Sequence, residues 1–303
     1  MLRRLLELGL DPNERMQLGQ LEDQTFSSGG PLLEAVNTGR IDMARLLLAH
    51  GADPNASVYT AGSATAAAYT GGSPRRHAPD QAMIDLMVEH GGWIDAASVG
   101  YIRNVELARR MLEGEIDSHL ESGTFCGEKV AEQILWSGAS GRSVEIVRMA
   151  LERINWPRDD PRWFWMLWRP LPGHRDLNEA EQADSRATFR LILERCDPNL
   201  RAPESGQTML HEVIARDHGV GVALATILLD GGARTDIRDE FLQSTPLGWA
   251  CRWGRVALVE LLLARGADPI EAGAEPWATP LAWAERRHHA GIASILRQHE
   301  AAR

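Results

Sequence analysis

The sequence predicts an all-α fold, a solenoid of stacked helix-turn-helix repeats joined by short turns. Three observations predict it. Residues 244–269, STPLGWACRWGRVALVELLLARGADP, read as one helical hairpin. Copies of that hairpin recur along the chain. A hairpin of this size cannot bury its own apolar face, so the copies must stack on one another.

The hairpin is legible residue by residue. Thr245-Pro246-Leu247 is a turn followed by a helix start. Proline suits the first helical position, where its φ is already helical and no backbone donor is missed. A short first helix follows over 247–253, with Ala250 and Cys251 spaced to face a neighbour. Gly254 ends it as a left-handed cap would. Val256, Val259, Leu261, Leu262 and Leu263 give the second helix its apolar face. Gly266 ends that helix, and Ala267-Asp268-Pro269 turns the chain away.

The copies are equally concrete. Thr279-Pro280-Leu281-Ala282-Trp283-Ala284 repeats the opening. Pro31-Leu32-Leu33-Glu34-Ala35, with RIDMARLLLAHGADPN over 40–55, repeats the whole unit. Thr208-Met209-Leu210-His211-Glu212-Val213, with ATILLDGGARTD over 225–236, is another copy with a few extra residues between its helices. These segments resemble the ankyrin repeat, whose signature is T-P-L-H-x-A at a period of about 33 residues. The resemblance is specific over 30–55, 207–236 and 245–270, and looser over 279–300. It implies an ankyrin-type α-solenoid with short β-turn fingers. It also implies that the fingers and first helices line a concave face, with the second helices on the convex back.

Taken in order, residues 1–13 are a half unit, because Leu5 to Asn13 copies the end LLLAHGADPN of a second helix. The chain thus starts in mid-repeat, as a half-repeat cap or with its true start upstream. Residues 14–29 are a polar linker expected to form the first finger. The first full repeat is 30–55. The next, 64–95, has a first helix of small residues from Ala64 to Tyr69, an insertion over 71–80 and a second helix over 81–90. Residues 96–117 carry helical spacing at Val105, Leu107, Ala108, Met111 and Leu112. In 130–156 a helix over 130–136 is expected to break at the glycines of 138–141, with VEIVRMALERINW as its partner. In 162–199 the first helix is RWFWMLW, stopped by Pro170, and a polar insertion over 173–184 precedes ATFRLILERCDPN. The repeats 207–236, 245–270 and 279–300 complete a single solenoid over 1–303. Between 60 and 200 the units are read mainly from their second helices.

Composition bounds the function. The 303 residues leave room for about nine such units. Net charge is −10 and the pI near 5.5, so nucleic acid is not expected as a partner, because phosphate binding needs a basic surface. The basic residues are almost all arginine, Lys129 being the one lysine. No apolar run approaches the ~20 residues that cross a bilayer, and no membrane role is expected. Cys126, Cys196 and Cys251 are few and far apart, which suits a reducing compartment, the cytoplasm. Met1 to Leu10 is too short an apolar stretch for a signal peptide, and Glu7 interrupts it. A monomer is expected.

Chemistry-bearing residues are sparse. G-x-S-x-G, a phosphate loop, H-E-x-x-H, paired cysteines and a dinucleotide fingerprint have no credible match, so no catalytic residue, metal or cofactor is assigned. His211 stands at the histidine of T-P-L-H, where the resemblance implies a ring bonded to Thr208 and nearby backbone. His288 and His289 are adjacent and face different ways on a helix, which makes them poor joint ligands. Trp249 and Trp283 recur at the repeat period and read as core. Glu179, Glu181 and Asp184 read as a solvated run in the insertion. Trp163, Phe164, Trp165 and Trp168 read as a helix buried between neighbours, or else as a partner or ligand surface. The remaining candidates, Arg252, Trp253, Arg286 and Arg287, fall at first-helix ends, and Phe241 and Trp277 lie in the turns before Thr245 and Thr279. Trp and Arg dominate interface hot spots. These six residues are therefore expected to bind another protein, and the arginines an acidic segment of it. A non-enzymatic binding scaffold is the leading reading. The second is a small-ligand or enzymatic pocket around Trp163–Trp168 and the insertions at 71–80 and 173–184.

Overall fold

In the computed structural model the described residues are 1–14, 30–56, 63–70, 80–120, 127–172, 176–216 and 219–301. The insertion at 71–79, the linker at 15–29, Cys126 and residues 173–175 lie outside them. The chain divides into two compact units, Met1–Ser137 and Gly138–Arg303. Among the described residues the structure is helical, and one isolated bridge pairs Arg201 with Thr208.

The first unit holds α1 (Leu2–Glu7), two hairpins, a lone helix and most of α7 (Val130–Gly141). The hairpins are α2 (Pro31–Asn37) with α3 (Ile41–Ala49), and α4 (Ala64–Thr70) with α5 (Gln81–Glu89). First helix packs on first helix, and second on second. Val36, Leu47, Met83 and Met87 are sealed in their core. The lone helix, α6 (Val105–Leu112), follows a chain of single turns over 96–103 instead of a first helix. Arg109 on α6 bridges Glu106, Glu113 and Glu115 on the solvent side.

The second unit repeats one design. Its hairpins are the end of α7 with α8 (Val144–Leu151), α9 (Arg162–Trp168) with α10 (Glu179–Leu193), α11 (Met209–Ala215) with α12 (Gly221–Asp230), α13 (Pro246–Trp253) with α14 (Val256–Ala264), and α15 (Pro280–Arg286) with α16 (Ala290–Ala301). The inner row runs α9, α11, α13, α15, each packed on the next. The outer row is α8, α10, α12, α14, α16. Pro246 and Pro280 open their helices behind Thr245 and Thr279, whose hydroxyls cap the turns. Such a cap contributes about 1 kcal/mol. Gly254 adopts φ 70° and ends α13, as expected from the sequence.

The asparagines of the D-P-N repeat ends tie successive units together. Asn13 bonds Gly51 O and Asp53 N, Asn55 bonds Gly91 O and Trp93 N, and Asn199 bonds Gly232 O and Arg234 N. Each amide thus donates and accepts across one repeat step. Between α8 and α10 the same link is made by Arg158, which donates to Glu194 O and Cys196 O.

Three expectations are corrected. The glycines at 138–141 do not break α7, because Gly138 sits where a Cβ would come within 2.9 Å of Ile146 Cγ2. That glycine lets α8 approach closely, and the turn is made by Arg142 at φ 55°. The stretch 176–184 is no open insertion. Asn178 and Glu181 form a reciprocal capping box, so Glu179, Glu181 and Asp184 stand in the first turns of α10. Finally, Val256 is 45 % exposed, and Leu258, Val259, Leu262 and Leu263 form the buried stripe of α14.

Candidate functional site

The finger before α13 is built on one buried carboxylate. Asp239 accepts from Ser244 N and Trp249 Nε1 through Oδ1, and from Phe241 N and Leu242 N through Oδ2, all at 2.8–3.1 Å. Four donors on a side chain that is 1 % exposed fix the loop tightly. The tip so formed lifts Phe241 to 67 % exposure. Ser244 extends the order to the next repeat. Its Oγ accepts from Trp283 Nε1 at 2.7 Å and lies 3.1 Å from Ala278 O.

His211 is a structural tie, as the resemblance implied. Its Nδ1 accepts from Thr208 N at 3.1 Å, and Nε2 reaches Ser244 O at 3.2 Å in the following finger. Burial depresses its pKa from 6.5 to about 4, so the ring is neutral. Trp249 packs edge-on against it.

The inner-helix ends of α13 and α15 gather five of the six expected site residues. Trp283 is the platform. Its indole is 5 % exposed because guanidiniums cover it: Arg252 Cζ lies 5.3 Å from the ring centroid and Arg286 Cζ 4.8 Å. Trp277 meets the same indole edge-on at 6.2 Å, and its carbonyl accepts from Arg286. Arg252 also stacks on Trp253, at 5.0 Å. Trp253 and Trp277 remain 46 % and 40 % exposed. Arg287 lies near enough that it and burial together lower the pKa of Arg252, burial being the larger cause. Arg252 Nε is buried with no acceptor. Among the described residues none of Arg252, Arg286 and Arg287 forms an ion pair. Phe241 stands apart at its finger tip, joined to the group only through Asp239. Trp283 was expected as core, and it is both core and platform; its recurrence with Trp249 gave no sign of the second role.

A second stacked group lies on α9 and α11. Trp168 Nε1 donates to Glu212 Oε2 at 3.1 Å, and the same oxygen accepts from Arg216 Nε. Arg216 and Arg169 place Cζ 4.6 and 5.1 Å from the Trp168 ring. Most of the rest of α9 is core: Trp163, Phe164, Met166 and Leu167 are at most 3 % exposed, and among its apolar residues Trp165 turns outward. Trp163 Nε1 donates to Pro157 O. These apolar side chains fill space between neighbours.

Cys196 and Cys251 are buried free thiols, with burial pushing the pKa of Cys196 up to about 12 and that of Cys251 higher still. Glu271, also buried, accepts from Thr245 and pairs with Arg238 at 3.0 Å, and burial raises its pKa. Among the described residues no group of His, Cys, Asp and Glu could hold a metal ion, and no helix is long and apolar enough to cross a membrane.

Residues 177–272 match the family model for ankyrin repeats in three copies, and residues 30–57 match the ankyrin repeat once more. A comparison with curated proteins finds no match.

Proposed function

Because the chain carries ankyrin repeats over 30–57 and 177–272, and such repeats generally mediate protein–protein contacts, we propose that it is a non-enzymatic scaffold that grips an acidic segment of another protein. The grip is made by Arg252, Arg286 and Arg287, with Trp253, Trp277 and Phe241 as apolar anchors. One observation carries this reading. Arg252 and Arg286 are held together by stacking on Trp283, with Arg287 beside Arg252, and none of the three has an ion-pair partner among the described residues, in a chain of net charge −10. Clustered like charges repel, so a protein that keeps them together stores an attraction for a carboxylate-bearing partner. Planar guanidiniums pre-set on a ring bind carboxylates with little further loss of side-chain freedom. The acidic surface elsewhere argues against nucleic acid as the partner. A cytoplasmic monomer is part of the same reading, supported by the unpaired thiols of Cys196 and Cys251.

The test is a double substitution. Trp253→Ala with Arg286→Ala removes an exposed anchor and one guanidinium while leaving the helix starts and caps untouched. Loss of retention on an immobilised acidic peptide, with an unchanged thermal melt, is expected. Undiminished retention would remove this site from the protein.

A further inference from the structure

The arginine group on α13 and α15 sets a condition on the anion that it holds. Arg252 and Arg286 come from different helices, yet their Cζ atoms lie 5.3 and 4.8 Å from one ring centroid, that of Trp283. At 0.1 M salt the two charges are thus within about one Debye length, roughly 10 Å, of each other. Arg287 follows Arg286 and stands close enough to Arg252 to act on its charge. None of the three forms an ion pair among the described residues. Stacking takes up the faces of Arg252 and Arg286 and leaves their edges, where the N–H donors lie. Arg286 Nη2 is engaged by Trp277 O, and Arg252 Nε is buried without an acceptor.

A carboxylate has one charge and two acceptor oxygens, and a single guanidinium fork takes both. It leaves the other two arginines as they were. A run of carboxylates would reach all three, but its members repel one another, and each must be ordered from a flexible chain. A phosphoryl group carries about −1.5 to −2 at pH 7, with three acceptor oxygens on one atom. We propose that the group reads a phosphorylated side chain within the acidic segment, with apolar residues beside it lying on the exposed Trp253 and Trp277. The basic group is small. On the next inner helix Arg216 is already paired with Glu212 at 3.1 Å, so the free guanidiniums are confined to the ends of α13 and α15. Three cations in a chain of net charge −10 are too few for a nucleic-acid strand or an anionic membrane, whose binding draws on many contacts. They suit one dianion on a peptide.

This inference rests on the scaffold reading and names the chemistry of the partner. It is tested on the full chain with fluorescein-labelled peptides, each a Gly/Ser background with one leucine on either side of the central position. That position holds phosphoserine, Glu-Glu or serine, and affinity is read by anisotropy. The phosphoserine peptide should bind about tenfold tighter than the Glu-Glu peptide of nearly equal charge, and the serine peptide weakest. R252Q/R286Q should erase the preference for phosphoserine. Because these arginines also shield Trp283, a second measurement uses the unaltered chain. The second ionisation of the phosphoryl group lies near pH 6, so lowering pH from about 7.5 to about 5.5 should weaken the phosphoserine peptide several-fold relative to the Glu-Glu peptide, which stays ionised. Taking the ratio removes any titration of the protein itself, as at His288 and His289 beside Arg287. Equal affinity for the phosphoserine and Glu-Glu peptides overturns the phosphate and leaves the scaffold reading standing. Binding of neither overturns both. A preference that survives R252Q/R286Q, or a ratio that does not move with pH, overturns the phosphate site as well. Sedimentation with phosphatidylcholine vesicles containing phosphatidylinositol bisphosphate, without binding of the phosphoserine peptide, gives the surface to a lipid headgroup and overturns the peptide.

Discussion

His211 shows how a residue can carry a pH response without any chemistry. Its Nδ1 accepts from Thr208 N and its Nε2–H points at Ser244 O, so the fold holds the neutral tautomer. The unfolded ring titrates near 6.5 and the folded one near 4, because burial penalises the cation. Between those values the unfolded state binds more protons, so stability rises with pH across the window and is lost as pH falls through it. At 1.36 kcal/mol per unit, the loss reaches on the order of 3 kcal/mol. Urea unfolding at about pH 7 and about pH 4.5 should show it, and His211→Gln should flatten the difference by about that amount. Equal acid sensitivity in the variant would place the titrating group elsewhere. Glu271 acts in the opposite sense: burial raises its pKa, so its contribution grows weaker as pH rises through that value.

Helix α7 is the element that the sequence concealed. Gly138 and Gly141 near its end read as a turn, yet the helix runs from Val130 to Gly141. The reason is non-local: Gly138 faces Ile146 and Val147 on α8, and no Cβ fits between them. Gly138→Ala improves helix propensity by about 1 kcal/mol, but it must push α8 outward, and overpacking costs about 1–3 kcal/mol. A net loss of stability by thermal melt is expected; a gain would show that α8 moves freely. The same contrast explains what else was legible. The hairpins at 30–55, 207–236 and 245–270 could be read because Thr-Pro starts, glycine stops and apolar stripes are local signals. The capping box of Asn178 and Glu181 was also local, but the polar run around it read as loop. The arginine and tryptophan candidates at α13 and α15 were legible as residue types at helix ends. Their gathering on Trp283 was not, because stacking between repeats depends on register in three dimensions. Trp168 with Arg216 was missed for that reason, their positions being far apart in the chain.

For the molecule as a whole, local and long-range electrostatics oppose each other. The chain carries −10, and an acidic partner meets that charge before it meets the arginines. Repulsion from the whole charge acts over about one Debye length, roughly 10 Å at 0.1 M salt and about 30 Å at 0.01 M. In the proposed reading the guanidiniums on Trp283 act only at contact, where carboxylates replace water around them. The two ranges should separate in kinetics. Raising salt from about 0.01 to about 0.15 M screens the approach and should speed association of an acidic peptide by a few-fold. The same salt weakens the formed ion pairs, so dissociation should also quicken, and by more, giving a net fall in affinity. Stopped-flow mixing with a fluorescein-labelled acidic peptide measures both rates. Association that slows steeply with salt would mean that the arginine group at α13 and α15 dominates the field even at a distance. The acidic remainder of the chain would then play no part in selecting partners. Association that quickens while affinity falls would mean that the arginine group acts as a short-range filter: the net charge turns away weakly fitting polyanions, and only a segment whose carboxylates reach the arginines on Trp283 stays bound.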